Sequence, residues 1–376
     1  MRPTDRRRIA GQRLAAMRIS PAAVRQAGDD GAREPAADTI ARTVHHHLAM
    51  QAQDAASGLW SVGVRTGATR AEVEAAAAAR LITRSWPMRG TLHLMATQDV
   101  RWMCRLLAAE ITTAERSRHA QLELTPATLD RAREVLSAAL RGGVAMPRPE
   151  VLNTLRANGI DPSGQRAAHI LGRLCQEALL CQGPAQERQP TFVLLDDWVP
   201  WSWDPGREEA LAALATRYVA SHGPVTMRDL AGWVGKTLIF AREAVALAGD
   251  QVRTTEIGGQ AYLVPPEPTP VATTAAVRLL PGFDEFVLGY KDRSAMMSAA
   301  EELLVVPGKN GMFLGTVTVG GVVAGTWGRR TTTRGTVVTV TPFALLTPSR
   351  RRPVERAAVA YGRFLGTAVE VAYAGA

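Results

Sequence analysis

Between residues 125 and 198 the chain reads as helix, helix, turn, helix and then two strands, an order that restricts the fold more than any figure of composition. Residues 129–140 are amphipathic, 149–157 open with proline at a helix start, and Asn158-Gly159 makes a turn. A third helix over 163–178 sets Ala167, Ile170, Leu171, Leu174 and Ala178 along one face. Arg166, His169, Arg173 and Gln176 line the opposite face, so a buried stripe backs a basic one that can hydrogen-bond. Strands at 179–182 and 191–195 follow around a polar loop at 183–190. This is the order of a winged helix-turn-helix unit, whose third helix suits a DNA major groove.

The order recurs at 207–221, 227–234 after the N-cap Thr226, and 238–248, with strands closing on Gly258-Gly259. Its third helix exposes Arg242 beside Glu243 and little else, which makes it a structural copy and a poor reader of bases. Upstream, 12–18 reads as a short helix and 29–35 as a loop. A helix at 39–47 runs into Met50-Gln51-Ala52-Gln53-Asp54, and a helix at 70–80 precedes an extended run to residue 94. From residue 277 β-branched runs with glycine turns predict strands at 313–319, 322–327 and 336–341, then a helix at 353–365 and a strand at 369–373. Arg329, Arg330 and Arg334 fall between two of these strands, as a basic hairpin tip able to reach phosphates or as a solvated loop. The expected fold is α+β: tandem winged helix-turn-helix units with a strand-rich C-terminal region, divided as 1–125, 126–204, 205–270 and 271–376.

Charge agrees with a nucleic-acid partner. Forty-four basic and 35 acidic residues give a net charge of +9, which draws a protein to polyanions. Only Lys236, Lys291 and Lys309 are lysines, and arginine pairs bidentately with phosphate and guanine; codon bias would produce the same preference. A hydrophobic content of 46% is that of a globular chain, and no run of about twenty apolar residues suggests a membrane span. The N-terminus carries arginines with no apolar stretch behind them, so a cytoplasmic, nucleoid-associated protein is expected. Cys104, Cys175 and Cys181 are odd in number and widely spaced, as reduced thiols would be. Phosphate-loop, HExxH, CxxC and GxSxG motifs are absent, and three consecutive histidines, His45, His46 and His47, cannot face one metal from a helix. No cofactor and no metal are expected.

Gln51 and Gln53 stand two apart and do not share a helix face. Either they cap helix ends or bind backbone groups, or the backbone leaves the helix there and both serve one site.

The segment 50–54, then Leu59-Trp60 and Arg84-Ser85-Trp86-Pro87-Met88-Arg89-Gly90-Thr91-Leu92-His93-Leu94, resembles the bacterial winged-helix DNA glycosylases of the AlkZ and YcaQ type. Leu280-Pro281-Gly282-Phe283-Asp284-Glu285-Phe286, Gly289-Tyr290-Lys291-Asp292-Arg293 and Gly325-Thr326-Trp327 look like the C-terminal signature of that family. The resemblance implies winged-helix units wrapped around duplex DNA, removing bulky N-alkylated purines and sometimes interstrand crosslinks. It implies Gln51 and Gln53 as the catalytic pair, of the AlkZ type, with a small Ala52 where the family often has a larger aliphatic residue. Asp54 is then either the water-activating carboxylate or a helix-end partner of Arg84 or Arg89. Arg89 and His93 either hold phosphates and order the catalytic segment or simply pack. Asp284 and Glu285 are read as structural.

Amides suit this chemistry. Glycosidic hydrolysis usually needs an acid on the leaving group and a base on the water. Alkylation at N7 or N3 already makes the purine cationic, so it departs without a proton, and two amide oxygens can orient a water and favour the oxocarbenium-like sugar. The partner implied is double-stranded DNA carrying alkylated purines. Repeated units in one chain make a monomer sufficient. The competing readings are a non-catalytic regulator reading sequence through Arg166, His169, Arg173 and Gln176, and a nucleoid-type binder supported by charge alone.

Overall fold

The computed structural model describes residues 2–19, 36–108, 112–187, 189–199, 202–267, 276–309, 311–332, 335–344 and 347–374. In chain order the first elements are α1 (Pro3–Ala16), α2 (Ala36–His46), β1 (Met50–Gln51), α3 (Ala55–Thr66), α4 (Arg70–Ala78), β2 (Ile82–Met88) and β3 (Thr91–Ala96). Next come α5 (Val100–Leu107), α6 (Thr113–Gln121), α7 (Pro126–Ala139), β4 (Met146–Pro147), α8 (Arg148–Ala157), α9 (Arg166–Gln176), β5 (Leu180–Gln186), β6 (Gln189–Leu194) and α10 (Leu195–Trp198). Then follow α11 (Arg207–His222), α12 (Met227–Val234), α13 (Leu238–Ala248), β7 (Arg253–Ile257), β8 (Gln260–Val264), β9 (Val277–Leu280), α14 (Glu285–Leu288) and α15 (Ala299–Val305). The chain closes with β10 (Gly315–Val319), β11 (Val322–Thr332), β12 (Gly335–Pro342), α16 (Pro348–Leu365) and β13 (Val369–Tyr373). The fold is mixed α+β.

Two compact units form, one from Met1–Val73 with Leu211–Ala376 and one from Glu74–Ala210. In the second, the strands run β3-β2-β5-β6-β4, each pair antiparallel. Its core gathers Leu136, Val151, Leu155, Ile170, Leu174 and Phe192, so the apolar face expected of α9 is the face that is buried. Thr125 starts α7 by accepting from the Thr128 N–H, and β4, between α7 and α8, pairs with β6. In the first unit α11, α12, α13, β7 and β8 repeat that order, and Val225, between α11 and α12, bridges to Leu263 of β8. Thr226 and Asp229 form a capping box at the start of α12, and Gly235, at φ +70°, ends it. The five-stranded sheet β13-β12-β11-β10-β9 is antiparallel except for β12 with β13, and α16 carries Tyr361 and Phe364 into its core.

Several segments differ from expectation. The first helix begins at Pro3, where proline suits the first turn and Asp5 accepts from Arg2, rather than at residue 12. The expected loop at 29–35 lies outside the described residues. The segment carrying the glutamines does not continue a helix: α2 ends at His46, Leu48 takes φ +63°, and Asp54 caps a new helix, α3, that hydrophobic periodicity alone does not reveal. The glycines of α3 explain why. A Cβ on Gly58 would lie 2.6 Å from the Ala52 Cβ, and one on Gly63 would lie 2.5 Å from the Phe364 ring, so both are sites of close approach inside the helix. Finally, β11 extends through Thr332, so Arg329 and Arg330 are ladder residues opposite Val338 and Val337 rather than a hairpin tip, and Arg334 lies outside the described residues.

Histidines packed in the first unit give it an acid limit. Burial pushes the His46 pKa down to about 4 and those of His47 and His222 below the usual value. The unfolded chain takes up these protons near pH 6.5 while the folded chain refuses them, so stability falls as pH drops from about 6.5 towards 4. His46→Gln, which keeps a donor for the Ala16 carbonyl, is expected to reduce the slope of the urea midpoint against pH in that window. An unchanged slope would remove His46 from the account.

Candidate active site

Gln51 closes the two-residue strand β1 and is buried, 8% exposed. Its backbone N–H donates to Oε1 of Glu285 at 2.9 Å, and its side-chain oxygen accepts from the Gln53 backbone N–H at 3.2 Å. A backbone N–H only donates, so the atom facing it must be Oε1, which fixes the orientation of the Gln51 amide and leaves one lone pair and the NH2 group for other partners. Gln53 is exposed. Residues two apart in extended backbone share a side, a relation that a continued helix would not give the two glutamines.

Asp54 is engaged elsewhere. Its Oδ1 accepts from the Ala56 N–H at 3.2 Å and its Oδ2 from the Ser57 hydroxyl at 2.6 Å, the contacts of a helix N-cap. Arg329 stands 3.6 Å from the same carboxylate and donates to the Tyr361 hydroxyl at 2.8 Å. These contacts are those of a helix end, and the charged neighbour they bring is Arg329, where the sequence pointed to Arg84 or Arg89.

The C-terminal signature residues pack directly behind this segment. Asp284 is buried and receives both Arg65 nitrogens at 2.8 Å, the Ser61 hydroxyl and, at 2.9 Å, the Phe286 N–H. Arg65 also donates to the Met17 carbonyl and His47 Nε2, each at 3.2 Å. Glu285, also buried, accepts from the Trp233 indole at 2.8 Å. Trp60 and Trp327 hand their indole N–H groups to the Leu279 and Leu280 carbonyls at 2.8 and 2.7 Å, tying α3 and β11 to β9. Asp229 accepts from the Lys291 and Asp292 backbone at 2.6 and 3.0 Å, with Arg13 over the Tyr290 ring at 3.8 Å. Each of the two signature runs thus closes a buried polar network.

Gly58→Ala probes the fit. Alanine usually favours a helix over glycine by roughly 0.5–1 kcal/mol, but here the new methyl meets Ala52, between the two glutamines. The expected result is a loss of about tenfold in base excision with the cooperative melt retained. Wild-type excision would show that the segment tolerates displacement.

Arg89, His93 and the basic residues of α9 lie in the second unit, and their surroundings differ from the sequence picture. Arg89 and Gly90, at φ +55° and +64°, form the two-residue turn of the β2–β3 hairpin. An Arg89 guanidinium nitrogen lies 2.9 Å from His93 Nε2, and His93, fully buried, bonds through Nδ1 to the Thr91 carbonyl at 2.9 Å. The basic face of α9 is covered by its own unit. Arg166 donates to the Asp161 and Leu122 carbonyls, His169 meets His119 edge-on at 5.5 Å, Arg173 binds Glu177 at 2.8 Å, and Gln176 donates to Glu115 at 2.9 Å. Helix α6, which supplies Glu115 and His119, has one buried residue and no hydrophobic periodicity, so its one local mark is the Thr112–Glu115 capping box. A basic groove that the sequence also left unmarked runs beside α8, lined by Arg148, Asn153, Arg156 and Gln189.

Among the described residues no group of three or more His, Cys, Asp or Glu side chains could hold a metal ion, and no helix is long and apolar enough to cross a membrane. The three cysteines are buried and free, and burial pushes each thiol pKa up.

A family model described as DNA glycosylase AlkZ-like matches residues 44–364, a span that includes both glutamines, Asp284, Glu285 and Trp327. The chain is a DNA glycosylase, a hydrolase of N-glycosyl bonds. It belongs to the AlkZ-like family of these enzymes. It is 25% identical over 260 residues to the interstrand DNA cross-link repair glycosylase of Streptomyces sahachiroi, a match covering 65% of this chain and 70% of that protein. The solved structure of Streptomyces sahachiroi DNA glycosylase AlkZ has the same fold, with a TM-score of 0.78 at 22% identity, covering 98% of this chain and 99% of that one.

Proposed function

We propose that this glycosylase releases purines alkylated at N7 or N3, bulky adducts and the crosslinks they form between strands included, with Gln51 and Gln53 as its catalytic residues. The observation that carries the reading is the linked glutamine pair beside an Asp54 whose carboxylate caps α3. Such a site holds amides where most glycosidases hold a free acid and base. It suits a leaving group that is already cationic and spares a neutral purine. Gln51 Oε1, with its free lone pair, and the Gln53 amide orient the water and favour positive charge at the anomeric carbon. The relative named as a crosslink repair glycosylase supports crosslinks as substrates here.

The chain's architecture is proposed as tandem winged-helix units with boundaries near 125, 204 and 270. The order helix, short strand, helix, helix, strand, strand, with the short strand returning to the last, supports it in both copies. DNA contact is proposed through Arg89, Arg329, Arg330 and Arg334, with phosphates as their targets. Arg330 is exposed on β11, whereas reading bases through Arg166, His169 and Arg173 would require α6 to leave α9. That cover weighs against a sequence-reading regulator. A monomer acting in the cytoplasm on nucleoid DNA completes the reading.

The test is a duplex joined by a single N7-linked interstrand crosslink, incubated with protein and run on a denaturing gel. Separation of the strands, with an abasic site left behind, is the expected result; strands that stay joined would confine the activity to monoadducts.

A further inference from the structure

Gln51 has to be held by something other than its own strand. β1 is two residues long, Gln51 is buried, and a buried backbone donor left without an acceptor is costly. Its acceptor comes from 234 positions further along the chain, the fully buried carboxylate of Glu285. The other oxygen of that carboxylate takes the Trp233 indole N–H at 2.8 Å, so one side chain joins β1 to α12. Asp284, the preceding residue, is clamped by Arg65 and caps α14, which leaves Glu285 little freedom to shift. His222 brings Nε2 to 3.7 Å from the same carboxylate while its Nδ1 meets the Ser221 hydroxyl at 2.8 Å, so the indole makes the short contact.

We propose that Glu285 is the positioning residue of the glutamine pair: by accepting the Gln51 N–H it sets the backbone from which the Gln51 amide reaches the Gln53 N–H and the reacting sugar. The inference rests on the reading of Gln51 as catalytic. It gives the paired carboxylates separate tasks. Asp284 stabilises the fold through Arg65, and Glu285 transmits that rigidity to the site. A positioning role predicts loss of rate rather than loss of DNA affinity, and it predicts that the loss passes through Gln51.

The experiment is a double-mutant cycle in the full chain. Glu285→Gln and Glu285→Asp are each made in wild-type and Gln51→Ala backgrounds, and single-turnover release of 7-methylguanine, affinity for the lesion duplex and thermal melting are measured. Each Glu285 substitution is expected to slow release about tenfold in the wild-type background with DNA affinity within about twofold, and to change release by less than about twofold once Gln51 is alanine. An equal slowing in both backgrounds, or an effect on affinity alone, would overturn the proposal. Full activity of Gln51→Ala by itself would instead refute the catalytic assignment. One observation needs no substitution: in the wild-type protein the Gln51 amide should exchange slowly with solvent deuterium, and rapid exchange there would also overturn it.

Discussion

Gln51→Ala is expected to lower the single-turnover rate of alkylpurine release by about two orders of magnitude, the usual effect of removing one fixed dipole from a site where charge develops. The Gln51 amide is buried and oriented by the Gln53 backbone, so alanine removes a group whose ordering was complete before substrate arrived. Gln53→Ala should cost less, about tenfold, because its side chain is exposed where that of Gln51 is buried. The double substitution should fall short of the product of the singles, since the two residues orient one water. Affinity for the duplex should stay within about twofold in each variant. The check is quantitative release of 7-methylguanine from an oligonucleotide duplex under enzyme excess, with binding measured by anisotropy. A strong loss of affinity accompanying the loss of rate would move the glutamines from catalysis to binding.

The second large effect concerns stability. Arg65 and Asp284 meet at 2.8 Å with both side chains fully buried, and removing one partner leaves the other charge without compensation. Arg65→Ala or Asp284→Ala is expected to destabilise the fold by about 3–5 kcal/mol in urea unfolding. The Arg65→Met, Asp284→Leu double variant should recover much of that loss, because apolar groups of similar volume need no ion partner. Arg65 also donates to the Met17 carbonyl and His47, so recovery will be partial. A single substitution costing under about 1 kcal/mol would mean that the network is hydrated rather than sealed.

How much of this could be read from the residues depended on whether a segment's role is local. The repeat of helices with two strands was legible because buried faces impose a helical period, and α12 and α13 match their expected bounds, Met227–Val234 and Leu238–Ala248. α3 was not, because Gly58 and Gly63, unfavourable inside a helix by propensity, are there to admit Ala52 and Phe364. α6 was missed because it is polar nearly all round. That helix changes the meaning of α9, whose basic stripe is correctly placed but occupied by Glu115, His119 and nearby carbonyls. At the site, the glutamine pair was legible only through its resemblance to a family, since spacing alone favoured a helix cap or a backbone contact. The role of Glu285 was out of reach, because a hydrogen bond across 234 positions leaves no mark in local pattern. Arg329 was expected at a hairpin tip and instead lies in a ladder beside Asp54, as strand ends depend on pairing partners more than on composition.

The central claim is that this chain hydrolyses the glycosidic bond of a purine made cationic by alkylation and leaves a neutral purine untouched. It is tested most directly by mass spectrometry of the bases released from a duplex containing one 7-methylguanine, one unmodified guanine in the same context and one neutral lesion such as 8-oxoguanine. The account predicts free 7-methylguanine with an abasic site at that position and no release of the other two. Release of the neutral lesion at a comparable rate would show that the site protonates its leaving group, which would contradict the account.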